Sequence, residues 1–402
     1  MADRPRLRSN ATDLIHHPYE PPGGFEAPQV GVHKASTVIF PNVAALRARQ
    51  WKEKTGYTYG LHGTPTSFTL EERIATLEGG RHTLLLPSGL AAITLVHLAL
   101  LDSGDELLMP DNAYGPGREQ AAHELSRWGI GHRLYDPLDP ASLDALVTPR
   151  TKLLWLEAPG SVTMEFPDLT ALLAVARRHG LLVALDNTWG AGLAFCGFDF
   201  GGAGQGADIV MHALTKYPSG GGDVLMGAVT TRDDALHQRL LRAHMRLGFG
   251  VGANDVETVL RSLASVHLRY AAQDRGGREL ARWLGTQPGV ARVLHPALPG
   301  SPGHEHWARL CTQAAGLFSI VFEPDVPGAR IDAFVDALRL FRIGYSWGGA
   351  TSLVVPYDLR QMRRQPRYDG GLVRFSVGLE DVEDLRADLA QALAAAQVAA
   401  AG

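Results

Sequence analysis

The chain predicts an α/β fold: a mostly parallel central sheet covered on both faces by helices, followed by a smaller C-terminal α/β domain. Three observations carry this expectation. From Leu70 onward, short apolar runs alternate with amphipathic helical stretches, as they do when strands are buried between two helical layers. The 402 residues are 45% apolar and 20% charged, a globular composition with enough chain for one large domain and a smaller one. Neither an internal repeat of about 20–50 residues nor a long low-complexity linker interrupts the pattern.

Residues 1–60 read as an N-terminal arm. Pro18, Pro21, Pro22 and Pro28 make it irregular, a helical patch is expected over Val43–Lys54, and its apolar residues are too few to form a core. Such an arm has to pack on something else, a second subunit included. A large domain over 61–258 follows. Its expected elements are a helix over Glu71–Glu78, a strand through Leu84–Leu86, a helix over Leu90–Leu101 and strands over Asp105–Met109 and Leu153–Leu156. A helix over Asp168–His179 and strands over Leu181–Leu185 and Ala207–Ala213 complete it. One long helical pattern from Asp255 through Tyr270 toward Trp283 leads into a C-terminal domain over 259–402, with strands over Gly316–Phe322 and Leu372–Val377. The closing Ala-rich helix starts near Asp381, whose carboxylate suits a helix N-terminus. In such a sheet functional groups gather on loops at the carboxyl ends of strands.

With 38 basic against 42 acidic residues the net charge is −4, so no cationic surface invites nucleic acid or an anionic membrane. Small molecules or other protein chains are the expected partners. Cys196 and Cys311 form neither a disulfide framework nor a metal or redox motif, and they suit a reducing compartment. Met1–Thr12 is polar and Arg-rich, unlike a secretory signal. Apolar runs such as Ile93–Leu101 fall short of the ~20 residues a membrane span needs. A soluble, cytoplasmic protein is the expectation. Only five lysines occur, Lys34, Lys52, Lys54, Lys152 and Lys216. Genomic base composition accounts for that scarcity, yet it confines amine chemistry to five positions.

Three segments stand out. Leu181–Asp186 is a buried strand ending in an acid that needs a cationic or hydrogen-bonding partner, or else caps a turn. Lys216 stands just past a buried strand and before the glycine-rich stretch Gly220-Gly221-Gly222. It is either a solvated surface lysine or an amine whose apolar surroundings make it a nucleophile able to form a Schiff base. Pro87-Ser88-Gly89-Leu90 joins a strand to a helix, and the amides at that helix start suit a phosphate, with a plain Ser88 cap as the simpler reading. Jointly the three match the needs of pyridoxal phosphate: Lys216 for the aldehyde, Asp186 for the pyridine nitrogen, and the Gly89 and Leu90 amides for the phosphate.

The same residues belong to an ordered set of words spanning about Val30 to Leu389: Leu77-Glu-Gly-Gly80, Pro87-Ser-Gly89, Asn112-Ala-Tyr114, Ala158-Pro-Gly-Ser161, Asp186-Asn-Thr-Trp189, Ala213-Leu-Thr-Lys216-Tyr217, Tyr345-Ser-Trp347-Gly-Gly349 and Arg374 through Asp381. In these the chain resembles the Cys/Met-metabolism branch of the aspartate-aminotransferase-like (fold type I) pyridoxal-phosphate enzymes, and within it the cystathionine β-lyases. The resemblance implies that Tyr114 stacks on the cofactor ring, that Thr215 reaches its phosphate, and that Arg374 holds the substrate α-carboxylate, with Ser346 and Trp347 beside it. It also implies a homotetramer built from dimers with shared active sites, since Tyr59 matches a segment that crosses into the neighbouring subunit. One position departs from the pattern: Leu61 stands where the family commonly has a phosphate-gripping arginine. That contact is missing or supplied from elsewhere, with His62 a candidate.

The implied activity is carbon–sulfur β-elimination on L-cystathionine, in methionine biosynthesis, with Lys216 as base and Tyr114 and Tyr59 aiding proton transfer. Trp347 favours it, because γ-lyases and γ-replacing synthases of the family usually carry a smaller residue there. The alternatives are γ-elimination, γ-synthase or sulfhydrylase activity on the same scaffold and, more remotely, a binding protein without chemistry. A nicotinamide dehydrogenase is disfavoured because Gly202-Ala-Gly204-Gln-Gly206 lacks the GxGxxG spacing and precedes a strand. No metal-site motif of the HExxH type occurs.

Overall fold

The computed structural model describes residues 23–399 except 25, 203 and 363–366. The polar Met1–Thr12 stretch lies outside the described residues. By internal contacts the chain divides into Met1–Val30 and Gly31–Gly402. The described residues of the first unit form no helix or strand.

In the second unit, β1 (His82–Leu86), β2 (Glu106–Pro110), β3 (Gly131–Tyr135), β4 (Thr151–Glu157), β5 (Leu182–Asp186), β6 (Ile209–His212) and β7 (Gly227–Thr231) form one sheet in the order β1-β7-β6-β5-β4-β2-β3. From β6 across to β3 the neighbours run parallel. β7 is antiparallel to both β6 and β1. Strand side chains alternate between faces, and the core divides accordingly. Leu154, Leu156, Val183, Leu185 and Val210 join one apolar cluster, while Leu153, Trp155, Ala184, Ile209 and Met211 join the other. Both faces are therefore dry, and the polar ends of β4, β5 and β6 emerge together at one edge of the sheet.

β8 (Val290–Leu294), β9 (Leu317–Phe322), β10 (Arg342–Ile343), β11 (Leu353–Tyr357) and β12 (Leu372–Ser376) form a second sheet in the order β10-β11-β12-β9-β8, parallel only between β10 and β11. Phe375 on β12 is its hub. Its ring stacks on Phe318 at 5.2 Å and meets Phe341 edge-on at 5.4 Å and Phe334 at 6.3 Å, with all four rings buried.

The elements differ from expectation in instructive places. The first long helix runs Pro65–Glu78, six residues further back than Glu71, because Thr64 and Ser67 form a reciprocal cap with Pro65 at the first position. The arm helix stops at Arg47 instead of reaching Lys54; it buries no residue, so nothing extends it. The expected single helix through Tyr270 is two, Ala253–Leu263 and Val266–Leu284. At the break the Ser265 amide and hydroxyl both donate to the Ser262 carbonyl, which Arg269 also engages, a local side-chain bond that competes with the helix ladder.

Truncating Phe375 to Ala should lower stability by about 3–5 kcal/mol. Denaturant midpoints would show this, with Phe375→Leu falling between that variant and the wild type.

Candidate active site

The turn after β6 carries Lys216. Three backbone bonds shape it: Lys216 N–H to Ala213 O at 3.1 Å, Ser219 N–H to Leu214 O at 3.0 Å and Gly220 N–H to Lys216 O at 3.0 Å. Arg269 holds it from outside by donating to Tyr217 O at 2.8 Å. The buried Tyr217 ring meets Tyr270 at 4.7 Å and Trp347 at 5.4 Å, and its hydroxyl accepts the Gly316 amide at 3.1 Å. Over this turn lies the Tyr345–Gly349 loop. Gly348 has φ +83, and a Cβ there would stand 2.9 Å from Tyr217 N, so only glycine fits the approach. Ser346, at φ +85 one of three non-glycine residues at positive φ among those described, accepts a bond from Lys216 Nζ at 2.7 Å.

The two sheets thereby bound a cavity of about 610 Å³, a size suited to a cofactor with a small substrate. It is lined by Gly89, Leu90, Tyr114, Asp186, Thr215, Lys216, Ser346, Trp347 and Arg374. Nine of the ten residues singled out in the sequence are thus brought together. Tyr59 is not among them. It lies 46% exposed, with Leu61 and His62, against a separate cavity of about 690 Å³.

At the start of the Gly89–Leu100 helix the Ser88 hydroxyl accepts the Ala91 amide at 3.0 Å and the Ser88 carbonyl the Ala92 amide at 3.1 Å. The amides of Gly89 and Leu90 are the ones a helix leaves for an external anion. Gly89 is fixed by packing, because a Cβ on it would come within 2.7 Å of Ala213 Cβ. The Thr215 hydroxyl lines the cavity but is engaged on Met226, donating to its carbonyl at 3.1 Å and accepting its amide at 3.0 Å.

Asp186 ends β5 and accepts the Thr188 amide at 2.9 Å. Burial raises its pKa, against the pull of Thr188, His212 and Lys216. Burial and the Arg374 charge push Lys216 down to about 8, with Asp186 opposing. Arg374 is buried on β12 and donates to the Ser161 carbonyl at 3.2 Å, its guanidinium 5.2 Å from the Tyr357 ring centroid. Burial lowers its pKa, and the groups that offset this are tyrosines. The cavity thus holds a cation facing aromatic rings, a short reach from a nucleophilic amine.

A model of the Cys/Met metabolism PLP-dependent enzyme family matches residues 11–394. The chain belongs to this family. It is 40% identical to a cystathionine β-lyase of Bordetella avium over 94% of this chain and 96% of that one. It is 36% identical to the cystathionine β-lyase MetC of Escherichia coli K12 over 89% and 91%. A crystal structure of cystathionine γ synthase from Xanthomonas oryzae pv. oryzae, in complex with aminoacrylate and cysteine, superposes with a TM-score of 0.84 at 30% identity, covering 92% and 94%. The family's cofactor is pyridoxal phosphate. The donor set suits it: a helix-start cradle that admits no Cβ at Gly89, an acid at a strand end, and a single lysine with a lowered pKa.

Sequence reasoning missed Glu157, which ends β4 as Asp186 ends β5 and lines the same cavity. The signal was the same, a buried apolar run, Leu153–Leu156, closed by an acid. It also missed Tyr357, whose partner on β12 nothing in its own neighbourhood announces.

In the cofactor-free protein, acylation of Lys216 followed through its peptide by mass spectrometry should rise with pH around a midpoint near 8. Because the free amine is the reactive form, a midpoint near the ordinary lysine value would contradict the burial argument.

Proposed function

We propose that this protein is a pyridoxal-phosphate-dependent carbon–sulfur β-lyase that cleaves L-cystathionine to homocysteine, pyruvate and ammonia. The observation that carries this reading is the convergence of Lys216, Asp186 and Arg374 on one cavity beside Trp347. The cystathionine β-lyase relatives support it. Bound pyridoxal phosphate supplies the electron sink that lets a Cα–H bond break heterolytically.

Lys216 would hold the cofactor through its ε-amine, Asp186 would face the ring nitrogen, Tyr114 would pack against the ring, and the Gly89 and Leu90 amides would take the phosphate. Lys216 Nζ, as a free amine, would take the Cα proton as a general base, a task its lowered pKa suits near neutral pH. The N–H donated from the free amine to Ser346 Oγ at 2.7 Å orients it. Arg374, buried on β12 with its charge offset by tyrosines, would bind the α-carboxylate with a bidentate guanidinium. The Trp347 ring, 5.4 Å from Lys216 Nζ, bounds the space beyond the reacting carbons. Tyr114, which lines the same cavity, would aid the proton transfers.

Within one chain Tyr59 stands against a different cavity; it would belong to this chemistry through a neighbouring copy, as the resemblance implies. The expected assembly is a homotetramer of dimers with shared sites, in the cytoplasm. Among the described residues no helix is long and apolar enough to cross a membrane. The same reading keeps the division into an arm over 1–60, a cofactor-binding domain over 61–258 and a C-terminal domain over 259–402, supported by the two separate sheets.

Incubation with L-cystathionine should yield homocysteine and pyruvate as the main products; 2-oxobutyrate with cysteine would instead assign γ-elimination. Arg374→Leu should raise KM for amino-acid substrates roughly tenfold or more, through loss of a charge-assisted contact, with a smaller change in kcat. Steady-state kinetics on cystathionine check it, and an unchanged KM would remove Arg374 from carboxylate binding.

A further inference from the structure

The cavity floor holds two acids, and the chemistry above uses one. Glu157 on β4 and Asp186 on β5 are partners in the parallel register, so their side chains leave the sheet on the same face. Both line the cavity, and each residue is 8% exposed. Two carboxylates taken out of water side by side cannot both ionise without cations to match.

The groups facing the pair decide which of the two carries charge. Asp186 accepts from Thr188 and is favoured as an anion by His212 and Lys216. Glu157 Oε2 accepts one amide, that of Tyr114 at 2.9 Å, and the cation acting on it is Arg118, which also donates to the Asp111 carbonyl at 2.7 Å. Two tyrosines also face Glu157: Tyr114, whose pKa is raised by burial and by both acids, and the buried Tyr135, which gives its hydroxyl proton to the Trp155 carbonyl at 2.9 Å. The balance of donors and cations thus lies on the Asp186 side.

We propose that Glu157 is kept as the neutral acid of this pair, so that the floor of the site carries one negative charge and that charge resides on Asp186. Burial and the adjacent Asp186 push its pKa well above the usual carboxylate range, in the same direction as the geometry. Glu157 is then a positioning residue with two effects. It would keep a second anion from competing with Asp186 for the ring nitrogen, and it fixes the backbone at Tyr114, the residue read as packing against the ring. This rests on the reading of Asp186 as the partner of the ring nitrogen.

Glu157→Gln provides the test, since the amide keeps the acceptor for Tyr114 and cannot ionise. At neutral pH the wild-type infrared spectrum should contain the carbonyl stretch of a neutral carboxylic acid that Glu157→Gln removes, and that band should fade on the alkaline side. Titration of the cofactor-free protein with pyridoxal phosphate, followed by tryptophan fluorescence, should give a Kd for Glu157→Gln within about threefold of wild type, because one neutral group replaces another. Absence of the band from the wild type, its persistence in Glu157→Gln, or a loss of affinity of tenfold or more in that variant would overturn the proposal. Absence of the band from the wild type overturns the proposal even if the variant does not fold. Failure of the wild type to bind pyridoxal phosphate would count against the function and leave the infrared result standing.

Discussion

The approach of Gly348 to the Lys216–Tyr217 backbone is the constraint on which the site depends. It presses a loop of the second sheet onto a turn of the first, at a separation where a Cβ would meet Tyr217 N at 2.9 Å. Ser346 reaches the amine because Gly348 sits this close. Trp347, between them, then has its ring beside both Tyr217 and Lys216 Nζ. Arg269 and Gln273, from the Val266–Leu284 helix, secure opposite sides of the same junction by donating to Tyr217 O and Gly349 O. A site assembled in this way cannot be split between the sheets without losing the position of its amine.

Once water is excluded from that junction, the ionisable groups inside have to answer to one another. The lowered pKa of Lys216 and the raised one of Asp186 share a first cause in burial, and each is opposed by the other's charge. The arrangement meets the general need of amine chemistry at neutral pH, a base that is free of its proton part of the time. On the far side of the sheet, His212 bonds Glu78 at 2.6 Å and Asn187 donates to Glu78 at 2.8 Å, so that one carboxylate ties together residues next to the ends of β5 and β6. Strand ends fixed from behind give the side chains in front a rigid base.

How much of this could be read beforehand follows from where each signal resides. Asp186, Lys216 and the Gly89 turn were legible because each is a local break in a buried run, a strand that stops at an acid, an amine or a helix start. Arg374 and Trp347 carry no such local mark, and the resemblance to a family supplied them. β3 escaped detection because it is an edge strand of mixed burial, Gly-His-Arg-Leu-Tyr, without a clear period. β7 follows the glycine-rich turn and is the antiparallel exception in a sheet expected to be mostly parallel. Helix boundaries moved where side chains bond backbone locally, at Thr64 and at Ser265, since a hydrophobic pattern is blind to caps.

The scarcity of lysine acquires a meaning once the cavity is described. Of the five, Lys216 alone lines it, while Lys34, Lys52 and Lys54 line the separate cavity and Lys152 is exposed, with its amine on the Pro149 carbonyl. Within one chain an aldehyde entering beside Asp186 therefore meets a single primary amine. Fidelity of attachment is here a matter of exclusion as much as of reactivity.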